Sequence, residues 1–526
     1  MQTQHQHSRS VIARNSVFNL LGQVLPMIVG VLTIPYLVRG LGTNGYGILS
    51  IAYMVLGYFS MFDLGLSRAT VKFVAENAKP ETAHKIPELV WTSLALLVAL
   101  GCIGGMIAAG FVSIAVTHFF KMPASSVGEA KSALYLLCAS MPIMLGNDAL
   151  RGVLEALQRF DLVNYVKVPG SVCFYLLAAL ATAFGMRVDG IVLLLVLVRL
   201  ATTCAYMVLC LKVIPYLRSD IRVSRRAIRP LTVFGGWIML SNITGPIFGS
   251  LERILIGSVL SVSMLTYYSV PWDLVSKVTI LPQSIVPSLF PFFSYHGKEN
   301  GTEVSAVTSH TIKYLLLLMS PVISVFVFFS HDILRLWLGA QFATQSAIVM
   351  QLVAILFFIN SFAMIPYTSV QALGRPDLKA ILDLIALPTY AVAAWWFMHH
   401  MGVNGAAFAK LLVTVADCSF LFFFAWRLKA FSLRDCFSGS LARGFLTSGI
   451  LFFVVFAIQS LHRDLITSIA LLLIAMTSYT VAFWVIVFDN SDRGAIVSFL
   501  LRFPLPFKQA KAGAVVGAME SDTKVV

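Results

Sequence analysis

Several ionisable side chains sit where the surrounding sequence is almost wholly apolar: Lys167, Arg199, Glu252, Arg253, Asp273, Lys277, Lys410 and Asp417. A charge near the centre of a hydrocarbon layer costs about 2.5–3.5 kcal/mol on insertion scales. Such groups therefore face either a watery cavity or a partner. Arg199 lies almost at mid-run and has no acid three or four residues away on either side, so it is expected to face a cavity. Asp273 and Lys277 stand in the favourable acid-then-base i,i+4 order, so mutual neutralisation is the plain alternative to a functional role. Asp417 lies mid-run with Lys410 one heptad before it. Glu252 and Arg253 are adjacent and either pair or reach toward an interface. Lys167 and Lys313 lie nearer run ends, where a long stem carries the ammonium to water. Asp148, Arg151 and Glu155 share one helical face and form a structural cluster. Deep cations equal or outnumber deep acids, and a lumen lined that way suits a phosphate or diphosphate. Arg199 and Lys277, with Arg253 and Lys167 behind them, are the candidates for substrate contact. Asp273 and Asp417 are the candidates for ion coupling.

The elements that must hold these charges are long apolar helices. About fourteen apolar runs near bilayer-spanning length fill the chain between Ser16 and Phe488. Hydrophobic residues make up 58% and charged residues 12%. Soluble domains carry roughly 25% charged residues, so this composition excludes a soluble fold and defines an all-α polytopic membrane protein. The spans divide into an N-terminal lobe over 1–211, a basic inter-lobe loop at 212–229, a C-terminal lobe over 230–426, two additional spans within 427–488 and a partly disordered tail at 489–526. A faint repeat, Val17-Phe18 with Pro26 against Val233-Phe234 with Pro246, fits two lobes rocking about a central site.

Lys and Arg fall mainly in alternate loops, among them Arg68, Lys72, Lys79, Lys85, Lys212, Arg218, Arg222, Arg225, Arg226, Arg229, Arg427, Lys429, Arg434 and Arg443. The positive-inside rule places that side, with both termini, in the cytoplasm. It also explains the net charge of +14 without any nucleic acid. No GxxxxGK[ST], HExxH or CxxC is present, and His399-His400 is an isolated pair. Built-in ATP hydrolysis, a metal site and other catalysis therefore find no support, and no cofactor is implied. The seven cysteines are scattered, most of them inside apolar runs, and read as small core residues.

The N-terminal part carries a recognisable series: Asn15, Pro35-Tyr36-Leu37-Val38-Arg39-Gly40-Leu41-Gly42, Gly45-Tyr46-Gly47 and Asp63-Leu64-Gly65-Leu66-Ser67-Arg68-Ala69. Weaker pieces follow in order: Leu289-Phe290-Pro291, Leu338-Gly339 with Phe342, and Gln371-Ala372-Leu373-Gly374-Arg375. The series resembles Wzx-type polysaccharide flippases of the multidrug/oligosaccharidyl-lipid/polysaccharide (MOP) exporter superfamily. The resemblance implies two lobes around a central cavity that opens alternately to each side. It implies transfer of undecaprenyl-diphosphate-linked oligosaccharide across the bacterial inner membrane, driven by an ion gradient such as H⁺ or Na⁺. A polysaccharide polymerase and a chain-length regulator are the implied partners. Within the motifs, Arg39 and Arg68 are placed to meet lipid head groups, and Asp63 joins Asp273 and Asp417 as a candidate coupling carboxylate. A lipid II-type flippase and a multidrug extruder share the implied fold, and a non-transporting scaffold of a polymerase complex is the rival of another class.

The charge distribution makes a topological prediction. A cysteine at Ser219 should be labelled by an impermeant thiol reagent only after the cytoplasmic face is exposed, and one at Thr43 from outside intact cells. Labelling of Ser219 from outside would reverse the orientation.

Overall fold

The computed structural model describes residues 2–78, 82–218, 220–224, 228–229, 232, 251–296, 301–428, 439–461, 464–490 and 492–494. For 2–23 and a few positions within helices it describes the backbone alone. Every regular element among these residues is helical: α1 Gln2–Phe59, α2 Leu66–Glu76, α3 Ile86–Ile114, α4 Ala124–Ala156, α5 Phe160–Ala183, α6 Val188–Val213, α7 Val262–Val275, α8 Ile280–Ile285, α9 Leu289–His296, α10 Gly301–Phe328, α11 Ser330–Leu338, α12 Ala340–Ala372, α13 Pro376–Met401, α14 Val403–Arg427, α15 Gly439–Ser460 and α16 Leu465–Ala482. Eleven helices among the described residues are long and apolar enough to cross a membrane.

One of those eleven supplies two spans. Gly42 interrupts α1 with φ 67° and ψ 176°, a left-handed conformation that glycine adopts without a Cβ clash. Pro26 and Leu37 before it line the same cavity as Tyr46 and Gly57 after it. A straight helix from residue 26 to 57 would be about 46 Å long, so the chain doubles back at Gly42. The eighth expected span is present as a broken rod, α7–α8–α9, joined by 3₁₀ turns at Ser276–Thr279 and Val286–Ser288. Pro282 and Pro287 each remove an N–H and crowd the carbonyl four residues back. The Ser276, Thr279 and Ser284 hydroxyls donate to nearby backbone carbonyls at 2.6–3.1 Å, so the interrupted ladder keeps partners inside the bundle. Most of the seventh expected span, and the Val233-Phe234 and Pro246 half of the proposed repeat, lie outside the described residues.

Packing sorts the helices into two lobes. In the first, α1 packs on α5, and α4 packs on α3 and α6. In the second, α12 packs on α14, α11 and α10, with α15 against α10 and α16 against α15. The interior is built on small residues, because lipid offers no hydrophobic gain for large ones. A Cβ on Gly101 would lie 2.5 Å from Pro142 Cα, and one on Gly105 would lie 2.5 Å from Cys138 O, so α3 and α4 touch backbone to backbone. Large apolar side chains such as Met106, Phe111, Phe453 and Ile466 point outward instead, as a lipid surface requires. Cys138 and Cys210 are buried as expected, but Cys102, Cys173 and Cys204 are exposed, apolar enough to sit on the lipid-facing or cavity side. Cys436 lies outside the described residues.

The lobes meet at the Gly42 end. Ser263 Oγ donates to Thr43 Oγ1 at 2.8 Å, and Thr266 Oγ1 donates to Thr43 O at 2.6 Å. The Lys121 and Val262 backbone N–H groups donate to Gly257 O and Lys121 O at 2.9 and 3.0 Å. Gly47 lies so close that a Cβ there would stand 2.1 Å from Val262 O. Backbone and hydroxyl hydrogen bonds, the Lys121 ammonium on Val259 O at 2.6 Å and one glycine approach close this end with no carboxylate in the contact, while the space between the lobes extends toward the other.

Candidate functional site: a cation-lined cavity between the lobes

Of three compartments, the first, of about 330 Å³, and the third, of about 400 Å³, lie between the lobes, the second, of about 260 Å³, lies within the first lobe, and Tyr175 of α5 borders all of them. The first is central and is bordered by both arms of α1, by Phe174, Arg199, Arg253, Asp273 and Lys277. The second runs into the first lobe past Asn147, Arg151, Lys167, Thr202 and Tyr206. The third leads away from the Gly42 end past Lys167, Lys277, Thr279 and Gln283. Five cations border this space among the described residues, against one carboxylate, Asp273. The sequence candidates Arg199, Lys277, Arg253 and Lys167 thus converge on one volume, although they come from four separate segments.

Their states differ. Arg199 Cζ lies 5.8 Å from the centre of the Phe174 ring, and its buried Nε has no hydrogen-bond partner among the described residues. Lys167 and Lys277 have no carboxylate partner among the described residues. Lys167 borders two compartments rather than simply reaching for an interface. Arg151 is held at 3.4 Å by Asp148 and at 3.3 Å by Glu155, the structural cluster expected from their shared face. Arg253 Nη2 donates to Asp273 Oδ1 at 2.7 Å. This corrects the expectation that Asp273 and Lys277 neutralise each other. Lys277 sits in the 3₁₀ turn that follows α7, where the tighter winding departs from the α-helical i,i+4 geometry.

The other charged candidates lie elsewhere. Glu252 does not pair with its neighbour. It is fully buried, and its Oε2 accepts from Lys410 Nζ at 3.2 Å and from Tyr390 OH at 3.5 Å. Asp417 accepts from Lys379 at 2.8 Å, and Lys379 also donates to Asp383 at 2.8 Å, so two carboxylates share one ammonium between α13 and α14. Lys313 does not reach outward. It is 1% exposed, and it donates to Asp489 and Asp492 at 2.9 and 3.0 Å, because the chain after the last span folds back over it. Burial opposes ionisation of Asp492, but hydrogen bonds from His310 and Lys313 outweigh it and hold that carboxyl at about 2. Arg39 is exposed and donates to Trp337 O at 3.1 Å, tying α1 to α11. Asp63 accepts from the Ser67 N–H at 2.8 Å at the start of α2, and Arg68 is exposed on that helix. These three do not border the cavity. His399 and His400 lie against Trp395 and Trp396, and no group of His, Cys, Asp or Glu suited to a metal occurs among the described residues.

Sequence reasoning missed the partners rather than the charges. Lys410 and Glu252 are 158 residues apart, and Lys379 and Asp417 are 38 apart. No local spacing announces such pairs. The aromatic wall of Tyr46, Tyr53, Phe174 and Tyr175 was equally hidden in a chain with 39 Phe and 16 Tyr.

Two helical lobes enclosing a charged cavity define a MOP-type transporter fold. The chain belongs to the polysaccharide biosynthesis protein family, whose model matches residues 12–296. It is 26% identical over 417 residues to the "Putative O-antigen transporter" of Shigella flexneri, covering 78% of this chain and 96% of that one. It is 25% identical over 185 residues to the "Probable low-salt glycan biosynthesis flippase Agl15" of Haloferax volcanii, covering 35% and 39%. Among solved structures, the lipid II flippase MurJ in an inward closed conformation superposes with a TM-score of 0.70 at 13% identity, covering 90% of this chain and 99% of that one. An inward-facing multidrug-resistance MATE transporter of the MOP superfamily gives 0.65 at 14% identity, covering 78% and 98%. These relatives are transporters and flippases, not enzymes.

The Glu252–Lys410 pair yields a stability prediction. Removing one partner leaves an uncompensated buried charge and should cost about 3–5 kcal/mol. Glu252→Gln and Lys410→Met should each lower the thermal unfolding temperature in detergent, and the double substitution should recover much of the loss. Unchanged unfolding in both single variants would contradict the pair's structural role.

Proposed function

We propose that this chain carries undecaprenyl-diphosphate-linked oligosaccharide from the inner to the outer leaflet of the bacterial inner membrane, for surface polysaccharide synthesis. The observation that carries this reading is the set of cavity cations without carboxylate partners among the described residues, Lys167, Arg199 and Lys277, facing a space that one described acid, Asp273, borders. A diphosphate brings about two negative charges, and moving them bare through hydrocarbon would cost several kcal/mol each. Cations on both lobes lower that cost wherever the cavity opens. Guanidinium and ammonium groups both hold phosphate oxygens, and the mixture favours moderate, exchangeable binding over a fixed clamp. Tyr53, Phe174 and Tyr175 offer ring faces to the sugars, while the polyprenyl tail stays in the lipid. A drug-extruding relative would need the opposite charge balance for cationic cargo.

In this reading the cytoplasmic side is the open one, and the Gly42 end must part for release. Its closure by single hydrogen bonds to backbone and hydroxyl oxygens, without an ion pair among the contacts described, suits a gate that reopens each cycle. Transport is coupled to H⁺ or Na⁺. Asp417 and Asp383 sharing Lys379 leave one negative charge uncompensated inside the second lobe, which is where a proton or cation would bind. Collapse of the proton or the sodium gradient with a selective ionophore identifies the ion, and transport indifferent to both would remove the coupling.

Arg199→Ala and Lys277→Ala should each lower transport by about tenfold, the scale of one lost charge-assisted hydrogen bond. Lipid-linked repeat units should accumulate on the inner leaflet at normal protein abundance. Lys277→Arg should retain much of the activity, and reversal to Glu should be worse than Ala. Normal surface polysaccharide from a normally abundant Arg199→Glu, Lys277→Glu double variant would overturn the assignment.

A further inference from the structure

We infer that Asp273 is a built-in stand-in for the substrate's phosphate: it occupies Arg253 while the cavity is empty, gives it up when the anion enters, and reclaims it to expel the anion. This rests on the reading of the cavity as a diphosphate site and adds a role for its one acid.

The placement supports it. Asp273 is the single carboxylate bordering the cavity among the described residues, and it is spent on the cation of the second lobe that would otherwise be free. Both partners reach the cavity, with Arg253 14% and Asp273 28% exposed, so an entering oxyanion can contest the contact without unfolding anything. The contact is a charge-assisted hydrogen bond of 2.7 Å, the same kind a phosphate oxygen would make to that guanidinium. The two lobes are unequal in this respect. Arg199 and Lys167 of the first lobe carry no carboxylate partner among the described residues, and the acids that hold Arg151 do not border the cavity, whereas the second lobe sets its acid on the cavity wall beside Arg253. The neighbouring acid, Glu252, accepts from Lys410 and Tyr390 through Oε2, and the ion pair of Arg253 is with Asp273. The remaining polar wall around Asp273 is Tyr46, Tyr53 and Tyr175, which bring no opposing charge in their neutral forms.

Asp273 also stands where it can move. It lies in the last turn of α7, three residues before the 3₁₀ turn Ser276–Thr279 that carries Lys277. When Arg253 turns to the anion, the freed carboxylate keeps its place on the cavity wall, where it is 28% exposed. The acid thus lowers the cavity's pull on the substrate. A cavity lined by cations only would bind the diphosphate tightly and release it slowly.

This role differs from two plainer ones in the direction of its effects. A structural ion pair, once broken, weakens binding and stability together. A coupling carboxylate, once neutralised, changes gradient dependence and leaves affinity alone. A resident competitor, once neutralised, strengthens binding and slows turnover.

The experiment is equilibrium binding of undecaprenyl diphosphate to the full chain in lipid nanodiscs, beside transport and thermal unfolding, for the wild type, Asp273→Asn, Asp273→Ser and Asp273→Glu. Asp273→Asn should bind about tenfold tighter, the scale of one competing charge, and transport more slowly. Asp273→Ser, which removes the charge and keeps a hydroxyl, is read in the same way should the amide variant not accumulate. Asp273→Glu, which keeps the charge, should remain within about threefold of the wild type, under half the free-energy scale of a tenfold change. Equal or weaker binding by the folded neutral variants would overturn the inference while leaving the diphosphate site standing. A wild-type chain that does not bind the lipid diphosphate would overturn both.

Discussion

The cost of holding charge inside a membrane governs this molecule. At about 2.5–3.5 kcal/mol for each charge at mid-bilayer, an apolar bundle tolerates ionisable groups only where water or a partner meets them. The chain meets that constraint in two ways. In the second lobe, Glu252 with Lys410, and Asp383 and Asp417 with Lys379, are matched across helices. At the cavity, Lys167, Arg199 and Lys277 are without carboxylate partners among the described residues and face open space instead. The difference between matched and unmatched charge is what separates scaffold from site.

The backbone of the two sides of the cavity differs. On the first lobe, α3 and α4 touch directly at glycines and run unbroken for 29 and 33 residues. On the second, the α7–α9 rod is broken twice at proline-directed turns, and the first of these borders the cavity. Irregular backbone at membrane depth is tolerated where it lines a cavity or is buried in protein, because its freed polar groups then find partners. The same joints are where a helix bends most easily, so the segment carrying Asp273 and Lys277 joins charged side chains to an interrupted backbone.

The helical class, the approximate span count and the cavity location of Arg199 were all legible in the sequence. Each depends on composition or on position within one apolar run. The reversal at Gly42 falls within the glycine-rich stretch Gly40–Gly47 of the motif series. The pairings were not legible. Asp273 with Lys277 is the pair that spacing suggests, yet Arg253, 20 residues away on another helix, takes the contact. Lys313 looked like a group reaching for the interface because Asp489 and Asp492, which bury it, come from the far end of the chain. Helical periodicity reports which face a residue occupies, and only tertiary packing decides what stands opposite. Arg39, Asp63 and Arg68 entered through a resemblance, and the fold sets them at surfaces and helix ends, where their contacts are with Trp337, Ser67 and the surroundings rather than with the cavity.

The central claim is that the cavity recognises the anion that joins sugar to lipid. Purified protein in proteoliposomes, given a fluorescent oligosaccharide on either a polyprenyl diphosphate or an uncharged polyprenyl ether, tests it directly through the rate at which each label changes leaflet. The account predicts protein-dependent transfer of the diphosphate-linked sugar and little transfer of the neutral one. Equal transfer of both, or transfer of the neutral lipid alone, would contradict it.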